Sequence, residues 1–392
     1  MIDQVPLLDM MSEVVICAVA RTPVGRYRGS LAGKSAIELG IFTVSELLKR
    51  ANINPSSEIV DEVLFGQVLQ AGSGQAPARQ VALGAGLPDS TPATTINKVC
   101  GSSLKAVMMA ANSIKAGEYN VIIAGGMESM TNAPYFGHKI SKIEFGEMQS
   151  TMIHDGLWDV YNDEHMGNTG ETVSLEYDIS REEADGFSVR SHQLAKTAWD
   201  NGWMDFEVFS LPELDYDEGI RADSNIEALS EMRTAFTSDG RVTAGNASQL
   251  SDGAAAVLVA NKEAAIENNW PILATVLDYC TSGVTPSRVM AAPISAVNTL
   301  LERNELSMND MTFIEHNEAF AAASCAVSKG CGIPDEKFNP HGGAVAIGHP
   351  LGATGARCLM TLMNALHRVG GGKGIVTLCL GGGNAVAMLI ES

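Results

Sequence analysis

Val14–Ala20 (VVICAVA) is an unbroken apolar run, the pattern of a strand buried on both faces, and Arg21-Thr22-Pro23-Val24-Gly25 ends it. Ile37, Ile41, Val44, Leu47 and Leu48 then recur at helical spacing, Asn52–Ser57 reads as a loop, and Glu62–Gln67 is the next strand. The order strand, helix, strand predicts a right-handed βαβ unit in a parallel sheet. Thr94-Thr95-Ile96 approaches a break at Cys100, after which a small-residue helix is expected to about Ala116. Asn120–Ala124 is a further buried strand running into glycines.

Between Thr131 and about Arg241 the pattern turns polar, acidic and aromatic, and Trp158, Trp199 and Trp203 all fall there. Ser180-Arg181-Glu182-Glu183 reads as a capping box opening a helix through about Trp199. The stretch is an inserted loop-and-helix lobe, either a lid over a substrate or a surface insertion. Ala254–Ala260 is then a strand rejoining the core. The last third echoes the first: Leu47–Arg50, a loop and Val63–Gly66 are matched by Leu300–Arg303, a loop and Phe313–His316. Each part goes on to a small-residue helix (Cys100–Ala116, Gly348–His367) and an apolar strand ending in glycines (Val121–Gly126, Ile375–Gly383). This order points to two homologous βαβ halves packed back to back; chance likeness between two α/β segments is the alternative.

Composition narrows the classes of function. The 392 residues carry a net charge of −20, which argues against nucleic-acid binding and against an anionic membrane surface. No apolar run approaches the roughly 18 residues of a membrane span. Met1–Met11 contains Asp3 and Asp9, lacks the basic start of a signal peptide, and reads as a short extension. The seven cysteines have no framework spacing or CxxC pair, and the eight histidines form no HxxxH. No metal site is therefore read, and a reducing cytoplasm is the expected compartment.

Candidate chemistry starts at Cys100. A cysteine at a helix start lies near unpaired backbone N–H groups, which favour the thiolate, and Gly101, Ser102 and Ser103 leave room for a substrate. It reads either as an activated nucleophile or as a buried structural cysteine. The second half supplies polar turns after strands: Glu315–Phe320, His341–Gly352 and Leu378–Gly383. Ligands bind at such loops in doubly wound sheets. Singly, His349, Cys379 and Asn317 are each compatible with a structural role. Together, two cysteines, a histidine and an asparagine on equivalent loops form a constellation that packing alone leaves unexplained.

These residues lie in motifs that follow one another in a fixed order. They are NxxCGS at Asn97–Ser102, GGMESM at Gly125–Met130, HMG at His165–Gly167, GNAS at Gly245–Ser248, NEAF at Asn317–Phe320, GGAxAxGHPxGxxGAR at Gly342–Arg357 and CxGGG at Cys379–Gly383. Over essentially the whole chain after Met11 the sequence resembles the thiolases, and within them the short-chain acetoacetyl-CoA thiolases. The resemblance implies an α/β fold, a five-layered α-β-α-β-α core of two duplicated halves with an inserted loop domain. Residues 1–129 with 243–271 would form the N-terminal half, 130–242 the CoA-binding loop domain, and 272–392 the C-terminal half. It also implies a homo-oligomer, dimer or tetramer, with Thr131–Gln149 resembling the loop that helps tetramers form.

For the site, the resemblance implies that Cys100 takes an acyl group as a thioester and His349 accepts its proton. Cys379 would remove the α-proton of a second acetyl-CoA. One oxyanion hole would use His349 and a water held by Asn317; the other would use backbone N–H groups of Cys100 and Gly381. His165, Met166, Arg221, Met232, Phe236 and Ser248 map to positions around coenzyme A, and Met290, Ala319 and Phe320 to the acyl pocket. Acyl-CoA molecules would be substrates, with no tightly bound cofactor. A β-ketoacyl synthase-like enzyme would lack Cys379, and a catalytically silent relative would have lost one of the four polar groups; all are present. His316, His341 and Asn384 stand where the family usually has other residues.

Overall fold

The computed structural model describes residues 12–392. The N-terminal extension expected over Met1–Met11 lies outside the described residues. The first half runs β1 (Val14–Arg21), α1 (Ala36–Arg50), β2 (Glu62–Gly66), α2 (Pro77–Gly84), β3 (Ala93–Ile96), α3 (Ser102–Lys115) and β4 (Val121–Ser129). Helices α4 (Met166–Glu176) and α5 (Arg181–Asp200) follow, then β5 (Ser251–Asn261). The second half runs β6 (Ala274–Gly283), α6 (Ala292–Arg303), β7 (Phe313–His316), α7 (Ala321–Cys331), α8 (Thr354–Arg368), β8 (Lys373–Leu380) and β9 (Asn384–Glu391). The capping box at Ser180 is present, its hydroxyl accepting from Glu183 N–H while the Glu183 carboxylate accepts from Ser180 N–H.

The strands follow one path, β7-β8-β9-β6-β1-β5-β4-β2-β3. This corrects the all-parallel expectation. β1 and β2 do run parallel, but β5 and β4 lie between them, and the β1–β5 and β5–β4 pairings are antiparallel. Only the outer pairs β4–β2, β2–β3 and β7–β8 are parallel. The local pattern could not show this, because β5 reaches its place from far along the chain and long-range pairing leaves no periodicity between β1 and β2. The duplication is visible in the same path. From the join outward, β1-β5-β4-β2 and β6-β9-β8-β7 show the same succession: antiparallel, antiparallel, parallel. The halves join through two residue pairs, Val15 with Thr275 and Ile16 with Ala274.

Alternation along the strands sorts the layers. Val14 and Ile16 of β1 pack with α3, α8 and the inner faces of β8 and β9, whereas Val15 and Cys17 pack with α1 and α2. On the far side, Ile375, Ala387 and Leu389 pack against α6. The result is helix, sheet, helix, sheet, helix, with α3 and α8 as the filling. Gly352 and Gly355, around the start of α8, make the close approach possible: a Cβ on Gly352 would stand 2.4 Å from the Met127 carbonyl oxygen.

The chain between β4 and β5 contributes two-residue hairpins, a π-helical turn at Met152–Leu157, and α4 and α5, which pack on α7. Its later part is pinned to the first half by Arg21, fully buried, which donates to Glu207 (2.8 Å) and Asp217 (2.7 Å).

Candidate active site

Cys100 sits on a turn between β3 and α3 whose backbone is forced. Val99 has φ +46°, left-handed for a β-branched residue. The strain is held by neighbours: Asn97 Oδ1 accepts from Val99 N–H at 3.0 Å, and Ser102 Oγ donates to the Val99 carbonyl at 2.6 Å while accepting from Lys98 N–H at 2.9 Å. The turn presents the Cys100 sulfur to its own backbone N–H and to that of Gly381 from the other half. Burial nonetheless pushes the Cys100 thiol above its ordinary range, with the Cys379 thiol adding to the shift. The backbone N–H groups act in the expected direction, toward the thiolate, while desolvation acts against it and is the larger effect.

His349 follows Gly348, whose φ of +115° is open to glycine alone. The Thr354 hydroxyl donates to the Pro350 carbonyl (2.9 Å), so Thr354 Oγ1 accepts from His349 Nδ1–H (2.7 Å). That network assigns the proton to Nδ1 and leaves Nε2 a free base, with Asn317 Nδ2 3.4 Å away. Burial, and then the charge of Arg357, pushes His349 down to about 3. The free site therefore pairs a neutral thiol with a neutral imidazole. Asn317 Oδ1, fully buried, has no protein partner.

Cys379, near the end of β8, lies 3.6 Å from Met290 Sδ, and burial pushes its thiol up to about 12. Cys100, Cys379 and His349 line one narrow hollow of about 50 Å³ together with Gly381, Met166, Ser248, Met290, Ala319 and Phe320. The rest of its wall is apolar: Val99, Gly156, Leu157, Leu351 and Leu380. At the rim His165 stacks on Phe236 (4.8 Å between ring centroids), and Phe236 meets Phe320 edge-on. Arg221 and Met232 are not part of the cavity wall. Arg221 is exposed, with its backbone N–H on His192 Nδ1 at 3.1 Å, and Met232 packs near Gly245.

Several members of the site escaped the sequence. Gly156 and Leu157 come from the π-helical turn, and Thr354 sets the His349 tautomer. Glu128, fully buried and pushed by burial up to about 7, accepts from the N–H groups of Val68 and Gly352 at 3.0 Å each, tying the two halves' loops together. The buried GGMESM acid was a usable signal; a threonine in a glycine-rich turn was not. Glu318 accepts from Ser191, Asn339 and the Val345 N–H, so it braces the turn. The unusual residues have structural partners: His316 with Ser324, His341 with Arg368, and Asn384 with Lys98 across the halves. Among the described residues no group of three or more His, Cys, Asp or Glu is placed to hold a metal, and no helix is long and apolar enough to cross a membrane.

Two thiols and an acceptor imidazole around one apolar hollow, with an amide set against the imidazole, can take an acyl group onto one sulfur and move a proton with the other, the equipment of cysteine-based acyl transfer. The chain belongs to the thiolase family. The thiolase N-terminal domain matches residues 14–263 and the thiolase C-terminal domain residues 270–392. The chain is 44% identical to the acetyl-CoA acetyltransferase of Pseudomonas aeruginosa, over 97% of this chain and 99% of that one. It is 45% identical to the acetyl-CoA acetyltransferase of Cupriavidus necator, over 97% and 100%. The Acat5 thiolase of Ascaris suum, solved in complex with coenzyme A, superposes with a TM-score of 0.93 at 36% identity, covering 97% of this chain and 100% of that one. The human mitochondrial 3-ketoacyl-CoA thiolase, also with CoA, gives 0.93 at 35% identity, covering 98% of each.

Proposed function

We propose that this thiolase condenses two acetyl-CoA molecules to acetoacetyl-CoA and CoA, and catalyses the reverse thiolysis, through an acyl-Cys100 intermediate. The observation that carries the proposal is the meeting of Cys100 and Cys379, from separate halves, in one cavity beside His349. As an acyl thioester approaches, His349 Nε2 takes the Cys100 proton, the sulfur attacks the carbonyl, and CoA leaves as its thiol with the proton of Cys379. The Cys379 thiolate then removes the α-proton of the second acetyl-CoA, the carbanion attacks the acyl-Cys100 carbonyl, and the displaced Cys100 thiolate takes its proton back from His349. The negative charge that develops on each thioester oxygen needs donors. His349 with Asn317 serves one oxygen, and the N–H groups of Cys100 and Gly381 the other.

Coenzyme A enters past His165, Phe236 and Ser248, and residues 130–242 act as its loop domain. Arg221 and Met232 stand outside the cavity and are assigned to the outer part of the coenzyme. Met166, Met290 and Leu157 narrow the acyl end of the hollow, which favours acetyl and acetoacetyl groups over long chains. The exposed Tyr135, Ile140, Ile143 and Phe145 suit burial against another subunit, which supports a homo-oligomer. A broader 3-ketoacyl-CoA thiolase is the second reading, supported by the likeness to the human mitochondrial enzyme. Steady-state thiolysis rates decide. Turnover that falls by at least about tenfold from acetoacetyl-CoA to long-chain 3-ketoacyl-CoA supports the first reading. Equal or rising turnover supports the second.

A further inference from the structure

Behind the cavity, the end of β7 and the start of α8 are tied by two rungs. On the first, Asn317 reaches His349 at 3.4 Å and His349 reaches Thr354 at 2.7 Å. On the second, Arg357 Nη1 donates to Glu315 Oε1 at 3.0 Å. The spacing makes the rungs neighbours: Glu315 and Asn317 are two apart on one face of an extended chain, and Thr354 and Arg357 are three apart on one face of a helix. Glu315 and Arg357 are both at most 1% exposed. A pair buried this deeply is a poor source of stability, since neutral replacements of buried ion pairs are often no worse.

Taking the thiolase reading as given, we infer that Glu315 and Arg357 are positioning residues for His349 and Asn317. Their ion pair fixes the spacing of β7 from the first turn of α8, and so the contact of Asn317 with His349, while the guanidinium charge favours the unprotonated imidazole. Neither side chain lines the cavity. The depressed basicity of His349 agrees, burial being its larger cause and Arg357 the second. Of the titratable groups, Cys100 before α3 and Cys379 on β8 line the same cavity as His349, and Arg357 on α8 acts on it through its charge while paired to Glu315 on β7. Of these Arg357 is the cation.

The test follows R357Q, R357K and the double variant E315Q/R357Q. For each, the pH profiles of kcat/KM for acetoacetyl-CoA thiolysis and of Cys100 alkylation by iodoacetamide are measured. Removing the positive charge makes His349 easier to protonate. R357Q therefore lowers kcat about tenfold with KM nearly unchanged, and moves the acid limb of both profiles up by about one pH unit. R357K, which keeps the charge, restores the limb to its wild-type position. E315Q/R357Q leaves no lone buried charge and reads the same upward shift should R357Q fail to fold. A limb that stays put in a folded charge-removing variant overturns the inference. Alkylation requires no turnover, so a wild-type protein without thiolysis sinks the thiolase reading while the alkylation limb still decides this one.

Discussion

In the first half the chain enters its middle helix through Asn97–Gly101; in the second it enters through Gly348–Ala353. The two turns occupy matching places in duplicated sheets, yet they are built differently. The first stores strain in Val99 and holds it with two side-chain oxygens, aiming a sulfur. The second removes strain with glycine and aims an imidazole, whose proton is fixed by Thr354. The comparison teaches that duplication supplies two matching mouths around one pair of helices, and that a few residues at each mouth decide what chemistry it carries. The glycine-rich turn can be read in a sequence; the strained one cannot, because Val99 is chemically unremarkable.

Substitutions separate the two turns, and the largest effect is expected at the first. C100A is expected to lower acetoacetyl-CoA thiolysis by about 10⁴-fold or more while leaving the thermal midpoint nearly unchanged, since covalent catalysis has no substitute. On the partner of the second turn, N317A is expected to lower kcat by about 10²–10³-fold, the loss of one oxyanion donor or about 3 kcal/mol. G352A tests the packing of the second turn rather than its chemistry. Its Cβ would collide with the Met127 carbonyl at 2.4 Å, so chemical denaturation should show a loss of about 3 kcal/mol along with reduced activity. V99G is the mildest. Relief of left-handed strain offsets the extra chain entropy of glycine, so stability should move by less than about 1 kcal/mol. Turnover should fall a few-fold because the sulfur is held less firmly. A V99G protein as active as the parent would show that the strain plays no part in aiming Cys100.

Local patterns carried much of this structure. The apolar run of β1, the helical spacing of α1 and the capping box of α5 all lie where their residues place them, within a residue or two. The repeat of order between the first and last thirds foretold the duplicated sheets. Motifs pointed to Cys100, His349 and Cys379, which line one cavity, and to Asn317, which lies against His349 behind it. What stayed hidden depended on distant partners. The antiparallel place of β5 follows from pairing across the whole first half, and the π-helical turn bearing Leu157 has no apolar period of its own. Arg221 was assigned through the resemblance, and its exposed place leaves it outside the cavity wall. The donors beside Cys100 can be read from a helix start, whereas the desolvation that opposes them depends on residues from both halves.

One measurement bears most directly on the claim that the two mouths share a single chamber with divided labour. Wild-type, C100A and C379S proteins are incubated with acetyl-CoA, digested and mapped by mass spectrometry, with condensation assayed in parallel. The account predicts an acetyl group on the peptide of Cys100 in C379S, none on that peptide in C100A, and no condensation by either variant. Acetyl found on another residue, or a C379S protein that still condenses acetyl-CoA at the parent rate, would contradict it.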